Sequence, residues 1–233
     1  ISIQFFLGKF AITGKFGDAA VAAVAASGRL EMVAFVFPMA IGMTLVPMVG
    51  QNFGARLYSR IRACQKFAMG FALIYLSSAG VFYVIFANSL VKIFASAQDV
   101  REIMVTAMRI IPWGFAGIEV HRFSGFFFTG CGRPSAAAWL NFLRIGVLMV
   151  PFSFLALHLN SLPGLFWARL SADLLAGGIG ATATYYMLRR LPADGEPAPA
   201  HNLAFGVPRL LHQKFLHLFA FAQSDIDGKS STQ

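Results

Sequence analysis

Apolar residues gather along this chain into blocks separated by short polar turns. Five blocks, at about 19–49, 63–91, 102–129, 135–157 and 165–188, are each long enough for a helix to cross the hydrocarbon core of a bilayer. A sixth, at 1–12, is too short to cross and reads as the remainder of a helix that starts upstream. No basic stretch precedes it and no small-residue cleavage site follows it, so it does not read as a signal peptide. The pattern predicts a loop over Thr13–Asp18, a polar break over Lys92–Arg101, a turn at Gly130-Cys131-Gly132-Arg133-Pro134 and a short link from His158 to Gly164. At about 1.5 Å per residue the first full block measures about 45 Å, against a bilayer core of about 30 Å. It must tilt, bend or project, and Pro38 and Pro47 are where bending costs least. The expected fold is therefore all-α, a polytopic membrane helix bundle over residues 1–191.

After Leu191 the pattern stops. Residues 192–200 carry proline, glycine and acid with no apolar period, and read as a linker. From Leu203 to Phe221 bulky apolar residues return, and Leu211, Phe215, Leu218 and Phe219 share one face when plotted at a helical period. Three readings stay open for 192–233: a sticky tail, a short helix at 203–221 lying in the membrane interface, or a segment foreign to what precedes it.

Composition supports the membrane reading. The chain is 57% hydrophobic and 12% charged, half the charged fraction of an ordinary soluble domain, with 25 phenylalanines in 233 residues. The net charge of +9 could suggest nucleic acid, but the arginines sit at the ends of apolar runs and form no stripe, so nucleic acid is not an expected partner. Charge also sets the orientation. Arg56, Arg60, Arg62 and Lys66 follow the first full block with no acid among them, and Arg189 and Arg190 close the last. On the other side Lys15, Lys92 and Arg101 are diluted by Asp18, Asp99 and Glu102. Positive-inside counting puts the 50–62 turn, the 130–134 turn and the C-terminus in the cytoplasm. Cys64 and Cys131 have neither metal spacing nor a disulfide framework and read as reduced packing residues.

No metalloprotease, phosphate-loop, nucleophile-elbow or acid-rich metal motif occurs, so an enzyme is not expected. What carries chemistry is a scatter of single charges inside apolar blocks, which are costly and mark a pathway or a pair. Glu119 stands near the middle of the third full block, with Arg122 at i+3 on the same face. Two readings are open: a carboxylate facing a cavity and holding a cation or a coupling proton, or an ion pair that lets the helix insert. His121 points away from Glu119 and is expected to pack or bond locally. Glu31 and Arg29 face opposite sides and must each find another partner or a water-filled cavity. Asp173 is spaced to pair with Arg169 at i−4. Arg144, one turn from Asn141, is expected to snorkel toward the interface. Pro38, Pro112 and Pro151 interrupt three blocks. Phe126, Phe127 and Phe128 are expected to face lipid or core.

The segment Pro38–Ala55 ends in Gly50-Gln51-Asn52-Phe53-Gly54-Ala55. Those residues resemble the GQN-x-GA signature of multidrug and toxic compound extrusion (MATE) transporters, found at the cytoplasmic end of the second helix of their C-terminal half. Arg29-Leu30-Glu31 and Pro38 resemble the DinF-like branch of that family, and the resemblance continues through Gly132-Arg133-Pro134 and fades after about Leu191. It implies one six-helix lobe, its first helix truncated, of a twelve-helix transporter whose two lobes enclose a cavity and alternate access. It implies export of organic cations and amphipathic drugs in exchange for H+ or Na+, from the bacterial inner (plasma) membrane, with no cofactor beyond the coupling ion. It also implies the lipid bilayer, small amphipathic or cationic substrates and an N-terminal lobe as partners. The best-known coupling acid of the branch belongs to the first helix of that N-terminal lobe, outside this sequence. Glu31, whose R-x-E arrangement the resemblance includes, and Glu119, Arg122 and Asp173, as single charges inside apolar blocks, are candidates for a substrate or ion pathway. Pro38, Gly50, Gln51, Asn52, Gly54, Ala55, Gly132, Arg133 and Pro134 are family-signature structural residues. Glycines 50 and 54 are expected to allow close helix approach or a left-handed cap. Two rivals are a flippase of lipid-linked precursors and a fragment without transport activity of its own.

Overall fold

A computed structural model describes residues 2–197, with side chains from residue 16 onward. The chain divides into a helical body, Ile1–Glu196, and a second unit, Pro197–Gln233, of which only Pro197 is described; the helix expected at 203–221 falls outside the described residues. Among the described residues every regular element is helical: α1 (Ser2–Gly54), α2 (Tyr58–Ile85), α3 (Ala87–Phe94), α4 (Gln98–Ile110), α5 (Phe115–Gly130), α6 (Pro134–Phe142), α7 (Val150–His158) and α8 (Leu162–Arg190). A 3-10 turn, Ile111–Gly114, joins α4 to α5, and a π-helical segment, Leu143–Met149, joins α6 to α7.

Four continuous stretches, Phe16–Gly54, Tyr58–Ile85, Gln98–Gly130 and Pro134–His158, are long and apolar enough to cross a membrane. Helix α8, at 29 residues, matches them in length, but Arg169, Asp173 and its glycines and threonines make it less apolar. Helix α1 shows how these spans are built. Its buried positions, Ala23, Ser27, Leu30, Glu31, Ala34, Phe35, Leu45 and Val49, recur at three- and four-residue steps along one face. Met32, Val33, Phe37 and Met43, on the rest of its surface, are exposed. In a bilayer such exposed apolar side chains meet lipid.

Helix α5 is the central post, packed by α8, α1, α2 and α6. Its closest neighbour is α8, and glycine permits that contact: a Cβ on Gly177 would stand 2.5 Å from the Gly117 carbonyl oxygen. Close approach through small residues substitutes for the hydrophobic drive that lipid does not supply between helices.

Several sequence expectations change. The loop expected over Thr13–Asp18 is helix, interrupted only at Gly17, whose φ of 77° lies outside the helical region. Pro38 and Pro47 sit within helical dihedrals, so neither breaks α1. Pro112 does shape the backbone, as part of the 3-10 turn, and Pro151 lies in the first turn of α7, which follows the π segment directly. There the Val150 amide bonds back five residues to the Ile145 carbonyl. The second block is split at Phe86, between α2 and α3. Residues 192–196 are not free linker, because they belong to the helical body.

Candidate functional site

Three arginine–carboxylate pairs lie inside the bundle, built from α1, α5, α8 and the π segment. Arg122 Nη1 donates to Glu119 Oε2 at 2.9 Å, across one turn of α5. Arg169 on α8 reaches Glu31 on α1 with both terminal nitrogens, at 2.9 and 2.6 Å, a fork-to-fork contact. Arg144, in the π segment, donates from Nε and Nη2 to the same Asp173 oxygen at 3.0 and 2.8 Å. The second Asp173 oxygen stands 3.6 Å from Arg169 Nε. Glu31, Arg169, Asp173 and Arg144 thus form one chain of alternating charge that ties three elements together. Arg122 joins it through α1, since its guanidinium lies 5.8 Å from the centroid of Phe35, one helical turn along from Glu31.

Two of these partners differ from those the spacing suggested. Arg144 does not snorkel, because Asp173 is within reach across the α8 interface. Asp173 makes its shorter contact with Arg144, and the i−4 contact to Arg169 is the longer one. The unpaired acid at position 31 finds its partner 138 residues away. Arg29 is exposed on another face of α1. His121, nearly fully buried, bonds across to Asn141 of α6 at 3.3 Å, so its partner is not local.

Three buried polar atoms in or beside this layer have no hydrogen-bonding partner: Glu119 Oε1, Arg169 Nε, and Ser27 Oγ one turn before Glu31. Leaving such atoms unpaired costs about 1–3 kcal/mol each. Among the described residues no group of three or more His, Cys, Asp or Glu side chains is placed to hold a metal ion.

The signature residues at 50–55 act through the backbone. The amides of Arg56 and Leu57 bond back to the carbonyls of Phe53 and Asn52, the paired bonds of a Schellman cap. The left-handed residue of that cap is Arg56, with φ of 58°, and not Gly54. A Cβ on Gly54 would meet nothing within 4 Å, so close approach does not require glycine there, and Gly50 makes only an ordinary contact with the Gly130 carbonyl. Asn52 donates its side-chain amide to the Met48 carbonyl at 2.8 Å. Gly132 ends α5 with the same cap, at φ of 73°, and Pro134 then opens α6 in its first turn.

The segment after α8 closes on this end of the bundle, which sequence reasoning missed. Arg62 donates to the carbonyls of Leu188, Leu191 and Pro192 at the end of α8. Asp194 accepts from the Ser59 hydroxyl and backbone amide, in the first turn of α2, and these bonds hold its carboxyl below the usual range. Tyr58 donates to the Glu196 carbonyl at 3.2 Å. A proline–aspartate–glycine run after an arginine-closed helix was the available signal, though nothing in it named Ser59 as the partner.

A family model named MatE matches residues 3–155. A FAD transporter from Shewanella oneidensis is 25% identical over 181 residues, which cover 78% of this chain and 39% of that protein. The Vibrio cholerae MATE transporter VcmN, in its bent form, superposes with a TM-score of 0.75 at 26% identity, covering 81% of this chain and 43% of that one. The outward-facing form of a multidrug resistance MATE transporter superposes at 0.76 with 22% identity, and 82% and 44% of the two chains are covered. The chain spans about two fifths of the length of these relatives. With a family model over most of its helical body and the same fold in solved transporters, this chain belongs to the MatE family of multi-pass membrane transporters.

Proposed function

We propose that this chain forms the C-terminal lobe of an alternating-access antiporter that exports amphipathic organic compounds in exchange for protons or sodium ions. The observation that carries the reading is the layer of charged side chains part-way along apolar helices. Each such charge costs about 3 kcal/mol at a helix centre in lipid, and charges kept at that cost line substrate and ion pathways. The relative named as a FAD transporter supports an aromatic, amphipathic substrate class. Arginine asymmetry orients the lobe in the bacterial inner membrane with Gly50–Ala55, Gly132–Pro134 and the C-terminus in the cytoplasm. The partner is a second, N-terminal lobe that completes the cavity and carries the main coupling acid.

Selection for cations would need Glu31, Glu119 or Asp173 to face the pathway. Each of them is instead covered by an arginine. Guanidiniums more accessible than their carboxylates also favour a second reading, a flippase of lipid-linked precursors. Dye efflux from cells stripped of their own pumps separates the readings. This chain alone is expected to export nothing, and the same chain joined to an N-terminal lobe is expected to export an amphipathic dye. Efflux by the isolated chain would overturn the single-lobe reading. Movement of a lipid-linked pyrophosphate in proteoliposomes without dye efflux would select the flippase.

A further inference from the structure

The three ion pairs share one polarity. Side-chain exposure is 32% for Arg122 against 0% for Glu119, 12% for Arg144 against 3% for Asp173, and 26% for Arg169 against 9% for Glu31. In every pair the acid is the hidden partner and the guanidinium the accessible one. The pairs are also contiguous, since Asp173 touches both Arg144 and Arg169, while Glu31 and Phe35 place Arg169 and Arg122 one turn apart along α1. The layer is neutral as a whole, yet its more accessible members are the guanidiniums, Arg122 most of all.

An arginine a quarter to a third exposed at this depth does not face hydrocarbon, where its charge would be unsolvated. This side of the lobe therefore opens on water or on protein. A guanidinium carries five N–H donors. The carboxylate contacts use two on Arg144 and engage both terminal nitrogens of Arg169, whose Nε is buried beside Asp173, but only one donor on Arg122, so Arg122 keeps the most for a further acceptor. An incoming cation would meet guanidinium first and could not reach Glu119. A phosphate or carboxylate would meet donors in the forked arrangement that suits it.

Resting on the transporter reading, we propose that Arg122, in the layer it shares with Arg144 and Arg169, docks the anionic group, phosphate or carboxylate, of an amphipathic substrate. The buried carboxylates hold the guanidiniums in place and lower the cost of keeping them in the membrane. They do not themselves touch the substrate.

A matched pair of ligands isolates the anionic group: riboflavin and riboflavin 5′-phosphate, which share one fluorescent ring system. In the complete transporter containing this lobe, purified in phosphatidylcholine nanodiscs, the phosphate form is expected to bind roughly tenfold tighter, the worth of one charge-assisted hydrogen bond. The double variant Glu119→Gln/Arg122→Gln removes a charge pair together and is expected to cut that preference several-fold while riboflavin affinity stays unchanged. Arg122→Lys keeps the charge but loses the fork, and is expected to weaken the phosphate form by a smaller factor at unchanged melting temperature. Equal affinity for the two flavins, or a preference that survives both variants, overturns the site. Adding phosphatidylglycerol to the nanodiscs separates the sources of the anion. Competition assigns the site to a lipid headgroup phosphate and its absence to a soluble one, and either result upholds the anion site. Efflux of an amphipathic dye from proteoliposomes of the same protein keeps the two ideas apart. Efflux without phosphate preference refutes the site alone, and phosphate preference without any efflux refutes the transporter reading alone.

Discussion

At the end marked by Gly50–Ala55, helices finish in backbone caps, and the chain after α8 is tied to the start of α2 by hydrogen bonds to main-chain carbonyls and amides. About 17 Å further along α5, at Glu119, the helices are joined by paired charges between side chains far apart in sequence. Each half has its own apolar cluster. One gathers Leu45, Val49, Tyr58, Phe123 and Phe127, the other Leu30, Phe35, Met104, Phe115 and Phe166. The contrast follows from solvent. At the capped end water can satisfy what the caps leave over, so many modest bonds suffice. Within the bundle a charge has no such recourse and must be met by another charge.

If that contrast is right, removing the carboxylate shared by two arginines should cost more than any single substitution at the capped end. Asp173→Asn leaves Arg144 and Arg169 without their shared carboxylate, and the melting temperature in detergent should report a loss of about 3–5 kcal/mol. A loss below that of the capped-end variants would break the comparison. Arg62→Ala removes three bonds from a half-buried guanidinium to the carbonyls ending α8, and should cost about 2 kcal/mol. Protease sensitivity near residue 190 should rise with it. The smallest effect is expected at Asp194. Its carboxyl is held low by Ser59, so its contribution is fully present above the ordinary aspartate value of about 3.9 and fades as pH falls through the lower folded value. Acidification through that window should loosen residues 192–196 in hydrogen exchange, and Asp194→Asn should abolish the pH dependence.

The same contrast explains what could be read from the sequence. Helices and their approximate limits were legible because apolar blocks of membrane length admit few other structures. The turn at Gly132 was legible because a cap is written in adjacent residues. The Arg122–Glu119 pair was legible for the same reason, lying within one turn. The partners of Glu31 and Arg144 were not, since they depend on which helices pack together, and spacing proposed a local partner for Asp173 where a closer one stood on another element. The left-handed cap falls at Arg56 and at neither Gly50 nor Gly54, although glycine is its usual occupant, and arginine takes it here at a conformational cost. The docking of 192–196 was hidden because a proline- and glycine-bearing run looks alike whether free or bound.

The central claim is that the carboxylates of the membrane layer serve their arginines. A double-mutant cycle on Glu119 and Arg122 in the complete transporter tests it most directly, with melting temperature and dye efflux read together. The account predicts that Glu119→Gln and Arg122→Gln each lower stability by about 1–3 kcal/mol, and that the double variant recovers much of the loss. Efflux of a dye without an anionic group should return with it. Additive losses in stability would contradict the account. So would a stable Glu119→Gln that has lost cation efflux and is not rescued by Arg122→Gln, because the carboxylate itself would then be acting on the transported ion.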